Sequence, residues 1–199
     1  MLEKLSPVVE GDGLRIRLAG LDDARFLFDL RTDPKLTRYI PPLSDFASHY
    51  AWLEKNLPRA DDYLFIAEEL NPEAAKGIIS IHDISFADRS GYIGRWIMKP
   101  ESGCAFEAIR LAYVFAFEML KLERIWTETL VKNQPVVSFH LGVGLKKERV
   151  LPEPWILRGE PYEVQRMYLD SQDWPETNEK IKKFHRFISR SKEEISHDG

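Results

Sequence analysis

From Leu14 to Leu18 apolar residues alternate with Arg15 and Arg17, the period of a strand with one face buried. Asp22 and Asp23 then stand where a helix would begin, and Phe26, Leu27 and Leu30 give it one apolar face before Pro34. Arg38 to Pro42 reads as a turn. Ser44 can cap a second helix that carries Phe46, Tyr50 and Leu53 and closes at Pro58. Three strand-like runs follow, Tyr63–Glu68, Gly77–Asp83 and Tyr92–Met98, separated by Asn71-Pro72 and by a polar stretch from Ala87 to Gly91. Connections this short predict an antiparallel meander.

After Gly103 the period changes. Cys104 to Lys121 is apolar nearly all round, and at 100° per residue Glu107, Arg110, Glu118 and Lys121 share an arc of roughly 80°. So narrow a polar stripe predicts a helix laid across a sheet. Arg124–Leu130 returns to strand character, and Asn133 opens a shorter helix with Pro135 in its first turn and Gly142 and Gly144 near its end. Lys146–Val150 and Tyr162–Asp170 read as a final strand pair joined through Arg158-Gly159-Glu160-Pro161. The order is β-α-α-β-β-β-α-β-α-β-β, a mixed α/β (α+β) chain rather than a doubly wound one. Residues 1–170 read as one domain. Residues 171–199 form a charged C-terminal tail, with Ile181, Phe184, Phe187 and Ile188 at helical spacing, either a docked amphipathic helix or disordered.

Charge and composition narrow the chemistry. With 28 basic against 32 acidic residues, net −4 and well mixed, the surface carries no footprint for nucleic acid or an anionic membrane. The longest apolar stretch, Leu111 to Leu120, is interrupted by Glu118 and too short to span a bilayer. The N-terminus lacks a secretory core. Cys104 is the single cysteine, which excludes an intrachain disulfide and a multi-cysteine metal site and fits a cytoplasmic setting. The five histidines show no metal-ligand spacing, so no metal is expected.

One junction points to a ligand. The strand Tyr92–Met98 runs into a tight turn, Ser102-Gly103-Cys104-Ala105, and then into the long helix. That geometry aims unpaired backbone N–H groups and a positive helix end at one point, which suits a pyrophosphate.

The order of elements resembles the GNAT N-acetyltransferases, in particular the branch of ribosomal-protein and spermidine acetyltransferases. The resemblance is carried by Gly91-Tyr-Ile-Gly-Arg-Trp-Ile-Met-Lys-Pro-Glu-Ser-Gly-Cys-Ala-Phe-Glu-Ala108, Tyr113-Val-Phe-Ala-Phe-Glu118, Leu122-Glu-Arg-Ile-Trp126, Asn133-Gln-Pro-Val-Val-Ser-Phe-His140 and Gly144-Leu145. It spans about Leu14 to Asp170. It implies a GNAT acyl-CoA N-acyltransferase fold, with a central twisted, mostly antiparallel sheet flanked by helices and splayed between Tyr92–Met98 and Arg124–Leu130. It also implies acetyl-CoA as co-substrate and direct attack by a primary amine in a ternary complex. Ile97, Met98 and Lys99 would border pantetheine, and Ser102, Gly103, Cys104 and Ala105 would hold the pyrophosphate. The family's Arg or Gln in this loop falls on Pro100 or Ser102 here.

Two further positions match the family. Asn133 is a helix cap by its chemistry and, by resemblance, also a cofactor contact. His140 lies seven residues later, where many relatives carry a Tyr that protonates the leaving thiolate. An imidazole titrating near neutrality could do the same, or it could be a structural helix histidine. Among Glu68, His82, Asp83, Tyr92 and Glu128, all on predicted strands, Glu128 is the candidate base because it shares a strand face with Trp126 and Leu130. The same face could equally expose it at a strand end.

For the acceptor, His140 resembles the branch that acetylates amino sugars on nucleotides. Arg31 and Arg38, near the end of the first helix, are the candidates to pair with such a substrate's phosphates. The alternatives are a protein N-terminus, a polyamine, or a module that binds CoA for regulation without catalysis. A homodimer is compatible with all of them.

Overall fold

The computed structural model describes residues 4–100 and 104–197, with side chains through residue 188. Eight strands form one sheet: β1 (Val8–Glu10), β2 (Leu14–Leu18), β3 (Tyr63–Leu70), β4 (Glu73–Ser85), β5 (Ser90–Met98), β6 (Arg124–Leu130), β7 (Lys146–Val150) and β10 (Val164–Asp170). Their order is β1-β2-β3-β4-β5-β6-β10-β7. Among the described residues the β5–β6 pair is parallel and the other pairs of this sheet are antiparallel. The fold is mixed α+β, and the central meander β3-β4-β5 follows its short connections.

Helices cover both faces because alternate residues of the central strands are apolar on both. On one face α3 (Ala105–Val114), continued by a π-helical turn (Phe115–Met119), lies on Leu14, Ile16, Phe65, Ile79 and Ile81, all fully buried. On the other, α1 (Ala24–Thr32) and α2 (Phe46–Asn56) pack Leu27, Leu30 and Leu53 against Ile66, Ile78 and Ile97. The cap of α2 is Asp45 rather than Ser44. Its Oδ1 accepts from the Ser48 amide at 2.8 Å. A chain with two apolar sheet faces needs both layers to remove that surface from water.

The polar stripe of α3 behaves differently from the expectation of a wet edge. Glu107 is 1% exposed, and Arg110 donates to it through Nε at 2.8 Å. Glu107 also accepts from the Asp12 amide at 2.9 Å, tying the β1–β2 turn to the helix. Arg110 reaches Asn178, and Glu118 accepts from the indole of Trp174 at 2.9 Å. Both partners belong to α5 (Trp174–His197), so the stripe is the seam on which the C-terminal helix docks. Trp174 and Ile181 enter the same core as α3. Sequence periodicity correctly isolated the stripe but could not show that another helix would cover it.

Two elements lie outside the predicted order. β1 adds an edge strand. A hairpin of β8 (Trp155–Leu157) and β9 (Glu160–Tyr162) stands in the β7–β10 connection. The remaining helix, α4 (Gln134–Val143), links β6 to β7.

Burial of a pair is favourable only while both partners are present. Arg110→Ala should therefore cost about 3 kcal/mol by stranding Glu107, whereas the double replacement of Glu107 and Arg110 by Met should cost less than the single change. Urea unfolding midpoints of the three proteins check this ordering.

Candidate active site

The site begins where a ladder stops. β5 and β6 pair at Ser90–Arg124, Gly91–Ile125 and Tyr92–Trp126 and no further. Beyond that point β5 stays on β4 through Ile97–Ile78 and Met98–Gly77, while β6 stays on β10 through to Leu130–Val164. The two strands open into a fork, and the backbone of Ile93–Met98 that faces β6 has no ladder there to satisfy it.

A bulge shapes the β5 arm. Gly94 pairs with Ser80 and Ile97 with Ile78, so two residues of β5 occupy the space opposite Ile79. Arg95 takes φ 47°, and the extra residue reverses the side-chain alternation. Ile93, Trp96 and Met98 accordingly face the α3 side, while Ile97 faces α1 and α2. The Ser80 hydroxyl donates to the Gly94 carbonyl at 3.1 Å, and Arg95 donates to both oxygens of the buried Asp62 at 2.7 and 2.9 Å.

α4 forms the opposite wall. His140 is 1% exposed and its ring lies 6.1 Å from that of Trp96, across the fork. His140 Nδ1, Trp96 Nε1 and, on the β6 arm, Trp126 Nε1 are buried without a hydrogen-bond partner. Trp96 and His140 meet on the α3 side of the fork, whereas Trp126 stacks on Tyr92 on the opposite face, and the first two orphaned atoms suit a bound group rich in amides and other hydrogen-bonding atoms. Burial pushes the His140 imidazole down to about 4, because the charged ring loses its hydration. The expectation of an imidazole titrating near neutrality is therefore corrected: His140 is neutral at pH 7.

The other candidate residues divide. Ile97 is buried beneath α1 and α2, so only its backbone can border a ligand in the fork. Met98 is half-buried on the α3 side. The Lys99 amide donates to the Lys76 carbonyl at 2.8 Å, and its ammonium lies 5.3 Å from the centre of the Phe26 ring. Ser102 and Gly103 lie outside the described residues. Cys104 is the N-cap of α3, its thiol donating to Glu69 at 3.6 Å, and Ala105 begins the helix whose first amides point outward. Asn133 holds the cap position of α4, but its side chain makes no capping bond, which corrects the reading of it as a side-chain cap.

Glu128 is held in a cross-strand ion pair. Arg166, its cross-strand partner on β10, donates to Glu128 Oε1 from Nε at 2.8 Å. The same guanidinium lies over the Tyr92 ring at 5.5 Å, so the pair braces the base of the fork. The ion pair engages Oε1 and fixes the orientation of the carboxylate, whose second oxygen keeps its accepting capacity.

Arg31 and Arg38 do not converge on one opening. Arg31 donates to the Pro41 carbonyl at 3.2 Å, its pKa lowered by burial and by neighbouring Arg95. Arg38 is exposed over the ring of Tyr39. A cavity of 330 Å³ does open at the end of β6, lined by Tyr39 and Pro41 from the α1–α2 connection, by Leu130, and by Trp155, Ile156 and Leu157 of the β8–β9 hairpin. Arg158 fastens that hairpin by donating to the Arg38 and Thr37 carbonyls at 2.7 and 3.2 Å. Sequence reasoning missed this wall. Its signal was the apolar triplet Trp155-Ile-Leu before Arg158-Gly159, whose positive φ values of 53° and 85° make a tight hairpin turn.

The acetyltransferase (GNAT) domain family matches residues 14–146. The chain belongs to the GNAT family. It is an acetyl-CoA-dependent N-acetyltransferase. No curated protein matches its sequence. A GCN5-related N-acetyltransferase from Brucella melitensis superposes with a TM-score of 0.78 at 18% identity, over 92% of this chain and 87% of that one. A spermidine N-acetyltransferase from Vibrio cholerae, solved with CoA and spermine, gives 0.75 at 23% identity, over 83% of this chain and 99% of that one. At such identities the likeness is one of fold. Among the described residues of this GNAT chain, no group of three His, Cys, Asp or Glu could hold a metal, and no helix is long and apolar enough to cross a membrane.

The low pKa of His140 carries a stability consequence. The folded chain binds this proton less tightly than the unfolded chain, whose imidazole titrates near 6.5. Stability from the neutral ring is thus complete above about pH 6.5 and is lost as pH falls toward 4, by up to about 3 kcal/mol. Between pH 7 and pH 4 the wild type should lose more stability than His140→Gln, as read by denaturant midpoints at each pH.

Proposed function

We propose that acetyl-CoA lies in the fork between β5 and β6 and that a primary amine meets its thioester from the α1–α2 side. The single observation that carries this reading is the unpaired edge of β5, beside which Trp96 Nε1 and His140 Nδ1 are buried without a partner. The open backbone of Ile93–Met98 would pair with the amide groups of pantetheine, as a missing strand would. The first turn of α3, beginning at Ala105, would receive the pyrophosphate, with Asn133 reaching the cofactor from the other wall. Acetyl-CoA supplies the activated acyl group. The residues of the chain position it, exclude water and steady the charge that moves.

Backbone amides at the bulge around Arg95 and Trp96 are the favoured donors to the acetyl oxygen, since a bulge leaves such groups out of the ladder. His140, neutral at working pH, serves as a hydrogen-bond donor to the departing sulfur rather than as an imidazolium acid. Glu128 braces the fork with Arg166. The attacking amine therefore loses its proton to solvent, which places the pH dependence in the acceptor's own pKa.

An amino-sugar nucleotide as acceptor draws limited support, because the cavity is small and Arg31 is turned to a carbonyl. The V. cholerae neighbour is named for spermidine, yet a polycation favours carboxylates and the lining of this cavity has none.

Calorimetry with acetyl-CoA and thiol release over a panel of amines test the proposal together. We expect saturable acetyl-CoA binding that raises the Tm. His140→Gln should lower kcat about 10- to 100-fold, about 1.4 to 2.7 kcal/mol, with acetyl-CoA affinity nearly unchanged and the pH profile unmoved. Glu128→Gln should change kcat less than tenfold. Absence of acetyl-CoA binding would sink the fork assignment, and loss of an ionisation near pH 6.5 in His140→Gln would restore the imidazolium role.

A further inference from the structure

The 330 Å³ cavity adjoins the fork at Leu130, the last residue of β6 and three residues before Asn133. Its position on the acceptor side rests on the reading just given. Its chemistry is a separate matter. Tyr39, Pro41, Leu130, Trp155, Ile156 and Leu157 offer aromatic and branched surface without a formal charge. Beneath it Leu130, Leu157 and Val164 form a small core of their own, joined by Tyr39 and Tyr162, so the floor is packed rather than hollow.

Two features show that this surface is held open toward a ligand. Trp155 and Ile156 remain 38% and 65% exposed although they stand on a three-residue strand whose neighbour Leu157 is 5% exposed. Arg158 spends its guanidinium on the Thr37 and Arg38 carbonyls, fixing the hairpin at a set distance from the α1–α2 connection. The apolar rim is thereby presented by a braced hairpin.

We propose that this cavity selects the acceptor, admitting an amine that carries a single aromatic or branched apolar group close to its nitrogen. Size argues for it. A volume of 330 Å³ lies at the lower end of ligand sites, roughly 300–1,000 Å³, and accommodates one ring and a short linker. Charge argues for it as well. A polyamine would bring a second ammonium into a lining with no carboxylate and would lose hydration there without return. An apolar group gains from leaving water, and the amine, kept at the Leu130 end, stays beside the fork.

The test compares phenethylamine, spermidine and an amino-sugar nucleotide as acceptors by thiol release, with wild type, Trp155→Ala and Trp155→Phe. Phenethylamine should exceed spermidine at least tenfold in kcat/KM. Trp155→Ala should raise the KM for phenethylamine about tenfold with a smaller change in kcat, and Trp155→Phe should restore most of it. Preference for spermidine or the nucleotide, or an unchanged phenethylamine KM in Trp155→Ala, overturns the inference while leaving acetyl transfer intact. Should no amine be acetylated although acetyl-CoA binds, phenethylamine binding is read directly by Trp fluorescence in the acetyl-CoA complex. Saturable quenching that Trp155→Phe weakens then supports the cavity assignment, and its absence overturns it. A dimer seen by sedimentation that Ile156→Glu dissociates, with amine preference unchanged, would assign the apolar rim to a second copy instead.

Discussion

Three residue pairs of parallel ladder hold β5 to β6, and the fork proposed to receive acetyl-CoA opens where that ladder ends. Each arm of the fork is committed elsewhere. β6 follows β10 through seven register pairs, and β5 follows β4. The bulge at Arg95 then bends one arm away from the other and is itself held, by Ser80 on the backbone and by the Arg95–Asp62 ion pair. A parallel ladder continued past Tyr92 would satisfy more backbone, but it would close the gap between these two central strands. The unpaired groups are a cost that a bound strand-like ligand removes.

The same opening explains the state of His140. α4 must lie against the fork to wall it, and Phe139 and His140 fill the space beside Trp96, with rings 5.6 and 6.1 Å away. Packing that tight strips water from the imidazole and keeps it neutral. A histidine at this position thus offers a hydrogen bond without a charge. That is a different chemical use from the one its solution pKa suggests, and it follows from where α4 is placed.

Periodicity made most of the fold legible. The strand Arg124–Leu130 and the helix after Gly103 were fixed by local pattern, because each buries a face whose repeat is written in consecutive residues. What escaped depended on partners distant in sequence. Glu107 and Arg110 read as solvated until α5, some seventy residues later, covers them. The pairing of Glu128 with Arg166 was not legible, because the two lie thirty-eight residues apart and meet only through the β6–β10 register. Asn133 has the chemistry of a cap, yet its side chain makes no capping bond. His140 falls on α4 beside Trp96, and its protonation is a property of packing that spacing cannot carry. The loop residues Ser102 and Gly103 remain a sequence inference.

The two faces of the sheet answer to different requirements. The α3 face must fit a constant partner, and its elements are contiguous from β5 through α4, within the stretch that the family match covers. The acceptor face is assembled from segments far apart, the α1–α2 connection and the β8–β9 hairpin, and is joined by one side chain, Arg158, reaching 120 residues back along the chain to Arg38. The hairpin lies beyond residue 146, outside the matched stretch. Its residues can therefore vary in shape and polarity without disturbing the fork, since neither β8 nor β9 joins the eight-stranded sheet. The family match thus covers the fork, while the hairpin proposed to select the amine and its Arg158 latch lie outside it.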